Sequence, residues 1–93
     1  MHSLRLVYER QGVGTAGGDM IRFVNVPYRL KVYEYTTDEG AAIQNGVAYL
    51  DATEETLQFL SMDTNLTLQL EDGERFSFEF SDLAFGKISI GLK

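Results

Sequence analysis

The chain has 93 residues, with eight Lys and Arg against fourteen Asp and Glu, a net charge of −6, 44% hydrophobic residues and 12% aromatic residues. That length allows one domain, residues 1–93, and excludes two independent cores; the composition argues against disorder. Cysteine is absent, which removes disulfides, thiolate metal sites and cysteine nucleophiles together.

The elements are read from period-2 alternation. Over Ser3–Arg10 it puts Leu4, Leu6 and Tyr8 on one face of a strand. The glycine-rich stretch Gly12-Val13-Gly14-Thr15-Ala16-Gly17 matches G-x-G-x-x-G, but a dinucleotide turn needs a helix next. The next segment, Met20–Val26, alternates as a strand, so a flexible hairpin loop is expected over Gly12–Gly18. A second strand pattern covers Tyr28–Thr36, and Pro27 between the two marks a break.

Val47–Asp51 is a further short strand. Residues 53–62 fit two patterns. A helix capped by Thr53 would bury Leu57 and Leu60, whereas a strand would alternate Leu57, Phe59 and Ser61 with their neighbours; the strand is slightly preferred.

Asn65–Glu71 and Glu74–Ser81 flank Asp72-Gly73 and form a hairpin. Burying one shared face selects a three-residue loop, Glu71-Asp72-Gly73 with Gly73 left-handed, which opposes Leu68 to Phe76 and Leu66 to Phe78. Beyond it the apolar phase shifts from odd (Leu83, Phe85) to even (Ile88, Ile90, Leu92), which calls for a bulge or bend at Gly86. The expected fold is all-β, a small antiparallel barrel or sandwich of seven to eight short strands with at most one short helix.

Chemistry-bearing motifs are few. His2 is the only imidazole, and the serines lack an evident general base. The carboxylate pairs Asp38-Glu39, Glu54-Glu55 and Glu71-Asp72 are adjacent on turns, not opposed across a cleft as glycosidase chemistry needs. Asp63-Thr64-Asn65 starts like a calcium loop that nothing completes. The expectation is a non-enzymatic protein without cofactor or metal. Met1-His2-Ser3-Leu4-Arg5 has no signal-peptide character and no apolar run reaches the roughly 18 residues that span a bilayer. A soluble, cytoplasmic protein without a membrane partner is therefore expected.

Charge is the most informative feature. From Glu34 to Asp82 there are twelve acids and one cation, Arg75, while residues 1–31 carry five cations against Glu9 and Asp19. Such asymmetry steers association rather than folding. Glu34, Asp38, Glu39, Glu54, Glu55, Asp63, Glu71, Asp72 and Glu74 are the candidate partner-binding residues. The function they suggest is an acidic protein-binding module, sharpened to an inhibitor whose carboxylates mimic a phosphate track and occupy a basic, nucleic-acid-binding surface. Solubility is the plain alternative for these acids.

The second candidate interface is Tyr28, Arg29, Lys31, Tyr33 and Tyr35. Cations beside aromatics suit nucleic acids, but the surrounding acids oppose phosphate, and tyrosine with arginine equally suits protein contacts. No direct nucleic-acid binding is expected. Two further functions remain: a structural protein whose basic N-terminal patch meets the acidic part of the next copy in head-to-tail homo-oligomers, and a small-ligand-binding β-barrel.

Overall fold

In the computed structural model, which describes residues 3–91, two three-stranded meanders are joined by one helix. The first is β1 (Ser3–Gly17), β2 (Arg22–Thr36) and β3 (Ala42–Leu50); the second is β4 (Thr67–Gln69), β5 (Arg75–Asp82) and β6 (Lys87–Ile90). Between them lies α1 (Glu54–Ser61). The strands close a six-stranded barrel in the order β1-β2-β3-β6-β5-β4, every neighbouring pair antiparallel. His2 and Leu92 lie outside the described residues.

The all-β antiparallel expectation holds, with six strands because two sequence segments behave differently. Residues 22–36 form one strand through Pro27. Two features permit this. Asn25 adopts a left-handed φ of 57° where the β1–β2 register shifts, so the strand bulges instead of breaking. The Pro27 carbonyl accepts the Asp51 N–H (2.9 Å), so the N–H that proline lacks would point to the same side, just past the last β3 partner, Leu50 opposite Tyr28.

Residues 54–61 are the second such segment, a helix in place of the slightly preferred strand. The Thr53 side chain accepts the Thr56 N–H (3.2 Å), Glu54 and Glu55 occupy the positive first turn, and Leu57 and Leu60 are buried together. Two buried leucines three residues apart cap one end of the barrel, which a strand there would not do.

The glycine segment 12–17 is not a loop either. It belongs to β1, and the hairpin turn comes later, where the Gly18 N–H donates to the Ile21 carbonyl (2.9 Å). The β4–β5 hairpin has the expected register, Leu68 opposite Phe76 and Gln69 opposite Arg75. Its loop closes through the Leu70 N–H on the Glu74 carbonyl (2.7 Å), with Gly73 at φ 92°. Leu68 is fully buried and Phe76 half-buried. At Gly86 the expected bend is a 3₁₀ turn, Leu83–Phe85, ended by Gly86 in the left-handed region.

Alternation then places the core. Val26, Tyr28, Leu30 and Val32 of β2 point inward with Ala48 and Leu50, Leu68, Phe78, Ile88 and Ile90, and Leu57 and Leu60 of α1 join them. Burying each large side chain contributes roughly 1.5–3 kcal/mol before the ordering entropy is subtracted. No helix among the described residues is long and apolar enough to cross a membrane.

One asymmetry of pairing positions the candidate surfaces. β1 pairs with β2 from Ser3 to Gly17 but with β4 only at Thr15, Ala16 and Gly17. β3 pairs with β6 only from Gly46 to Tyr49. The far ends of β1, β2 and β3 therefore run beyond the barrel as a three-stranded arm, and the molecule measures 42 × 25 × 21 Å.

Candidate functional site

Strand directions distribute the nine candidate acids. The β2–β3 loop, with Asp38 and Glu39, forms the tip of the arm, whereas the β4–β5 hairpin, with Glu71, Asp72 and Glu74, lies against Arg10 and Val13 well along β1. Glu54, Glu55 and Asp63 belong with α1 to the end opposite that tip, and Glu34 lies on the arm. The nine do not form one surface.

Several are also engaged within the chain. Glu34 accepts from Arg5 at 3.1 Å, an exposed pair of small energetic weight. Asp63 organises the β1–β2 turn by accepting the N–H groups of Met20 (3.0 Å), Ile21 (2.8 Å) and Thr64 (2.7 Å). Desolvation alone would raise its pKa, but these donors outweigh it and hold the carboxyl below its ordinary range.

Glu71 and Asp72 form the most connected cluster. The Arg10 guanidinium donates to Asp72 (2.8 Å) and to Glu71 (2.8 Å). Glu71 also accepts the Val13 N–H (2.9 Å) and the Tyr28 hydroxyl. The Tyr28 hydroxyl and then the Val13 amide bring the Glu71 pKa down to about 2. Burial, then the bond to Glu71, pushes the Tyr28 phenol up to about 12. Arg10 and then the Glu74 N–H hold Asp72 below its ordinary value. Because β4 leaves β1 after Thr15, the Glu71 side chain supplies the acceptor that a longer β4 would have offered to Val13.

Tyr28 thus leaves the second candidate interface, since its ring is buried on the inner face. Arg29, Lys31, Tyr33 and Tyr35 share the outer face, as their alternation requires. On the arm this face is apolar. Leu4, Tyr35 and Ile43 stand in one cross-strand row, and Leu6, Tyr33 and Asn45 in the next. Leu4 is 65% exposed, Leu6 46% and Ile43 48%.

Tyr8 departs from the face expected of it. The register shifts between Leu6 and Tyr8, so Tyr8 opposes Val32 and leaves the face of Leu4 and Leu6. Further along the outer face, Gln11, Arg29, Tyr49, Lys87 and Asp82 succeed one another across five strands. With Pro27, Asp51 and Phe85 they line a groove of about 800 Å³.

Sequence reasoning missed Leu4, Leu6, Ile43, Tyr49, Phe85 and Lys87 as surface residues. The alternation named their faces, but only the register brings them together. Among the described residues no cluster of three or more His, Asp or Glu could hold a metal ion. Comparisons with protein-family models, curated proteins and solved structures find no match to this chain.

Proposed function

We propose that the chain is a non-enzymatic protein-binding module that contacts its partner through the outer face of the β1–β2–β3 arm. The carrying observation is the exposure of Leu4, Leu6 and Ile43 around Tyr33 and Tyr35. A contiguous apolar face with tyrosines, outside the closed part of a barrel, is what a protein interface uses as its centre. Arg29 and Lys31 on the same face would give it a polar rim.

A second reading keeps the acidic surface. Asp38 and Glu39 at the tip of the arm and Glu74 on the β4–β5 hairpin are exposed, and they would dock on a basic surface of a nucleic-acid-binding protein. Glu71 and Asp72 contribute less to it, because Arg10 already compensates them.

Affinity capture from a lysate, eluted with a salt gradient, separates the readings. Leu4→Lys with Ile43→Lys is expected to abolish capture, while Asp38→Lys, Glu39→Lys and Glu74→Lys together leave it intact. The reverse pattern, with a strong salt dependence in the parent chain, supports the acidic reading. Loss in neither variant overturns both. Concentration-dependent mass without any partner would instead assign the arm to contacts between copies of the chain.

A further inference from the structure

We infer that the groove between the barrel and the β5–β6 turn takes a short segment of the partner in which an aromatic side chain adjoins a carboxylate. The inference rests on the protein-binding reading and names an anchor for it.

The groove has two apolar walls. Tyr49 is half-buried on β3, and Phe85, presented by the 3₁₀ turn, is 74% exposed. Rings of this kind receive another aromatic ring edge-on or offset, and removing its surface from water is the main gain. A volume of about 800 Å³ lies within the range of sites that enclose a small ligand or one or two side chains.

Charge selects the second element. Arg29 and Lys87 flank Tyr49 on the neighbouring strands, so a carboxylate beside the bound ring meets a cation on either side. Neither cation is ion-paired among the described residues, although Asp82 opposes Lys87 in the register. Both are therefore available to a ligand. Asp51 and Asp82 on the same rim disfavour a polyanion, whose affinity depends on neutralising consecutive phosphates. A peptide can offer them its own N–H donors. The row is also continuous with the proposed arm surface through Lys31 and Val47 on the adjacent outer row, so one extended partner could cover both.

The test is a two-dimensional amide NMR titration of the full chain with capped Gly-Phe-Asp-Gly, capped Gly-Phe-Lys-Gly and a six-nucleotide thymidine strand. Saturable shifts at Arg29, Tyr49, Phe85 and Lys87 are expected with the aspartate peptide at millimolar concentration, at least fivefold weaker with the lysine peptide. Phe85→Ser and Arg29→Gln should each remove the shifts while the rest of the spectrum shows an intact fold. Absence of saturable shifts, equal binding of both peptides, or tighter binding of the nucleotide strand at these amides overturns the inference. The arm is scored separately by the Leu4→Lys and Ile43→Lys capture experiment, so a silent groove leaves that reading standing.

Discussion

The carboxylate of Glu71 occupies the space where a β-carbon on Gly12 would stand. Gly12 pairs with Tyr28, so its missing side chain lets one carboxylate reach the Tyr28 hydroxyl and the Val13 N–H together. The glycine serves close approach rather than a turn.

Gly12→Ala should accordingly displace Glu71 without altering any strand propensity of consequence. The expected outcome is lower thermal stability and faster amide exchange at Val13, with Glu71→Ala giving the same exchange phenotype. Retained protection of Val13 in both variants would refute the role assigned to this carboxylate.

The same cluster sets a pH dependence. Glu71 titrates at about 2 in the fold against an ordinary 4.5, so its contribution is complete above pH 4.5 and is lost as the pH falls towards 2. Asp63 and Asp72, both depressed, act in the same direction. At the alkaline side Tyr28, raised from 10.0 to about 12, contributes fully below pH 10 and loses its contribution as the pH rises through 12. Circular dichroism across both limbs should show Glu71→Gln flattening the acid limb and Tyr28→Phe the alkaline one.

Gly73→Val places a β-branched residue at φ 92°. A cost of about 2 kcal/mol is expected from backbone strain alone, since no atom lies near enough to clash with the new β-carbon. Urea unfolding should show a lower midpoint at unchanged slope.

Leu60 is completely buried under the helix, and Leu60→Ala should cost about 2–5 kcal/mol. Thr53→Ala, which removes only the cap, should cost about 1 kcal/mol. If residues 53–62 were a surface strand, the two would be reversed in rank. Denaturant unfolding of both variants decides this.

Leu4→Lys with Ile43→Lys should leave thermal stability nearly unchanged, because both side chains are about half or more exposed. Binding of a hydrophobic dye and the tendency to associate should fall. A large loss of stability would mean that the arm face is packed rather than offered.

Legibility in the sequence tracks the range of the interactions involved. The hairpin Leu66–Phe80 is readable because Asp72-Gly73 and one shared apolar face act over a few residues, and the shift at Gly86 is readable for the same reason. Residues 53–62 are ambiguous because two leucines three apart satisfy a helix while the intervening Phe59 keeps the strand pattern alive. Gly12 and Gly14 resemble loop residues because their reasons lie far away in the chain, at Glu71 and at the Gln69 carbonyl. Pro27 resembles a break because the end of β3 beside it is a tertiary fact. Of the candidate site, alternation placed Arg29, Lys31, Tyr33 and Tyr35 on one face. It could not pair Arg10 with Glu71 and Asp72, so those acids seem more available in the sequence than they are in the fold.

The short β1–β4 pairing has a kinetic consequence. Each meander is built from chain neighbours, and the β1–β2 hairpin can form early because its strands are joined by a tight turn. Closing Thr15 onto Gln69 demands a long loop for three residue pairs, so the transition state for folding should contain the two sheets with the cylinder still open. Substitutions at Glu71 or Gly12 would then speed unfolding while leaving the folding rate almost untouched, and the first motion of the native protein away from its rest state would be the cylinder parting along Thr15–Gly17.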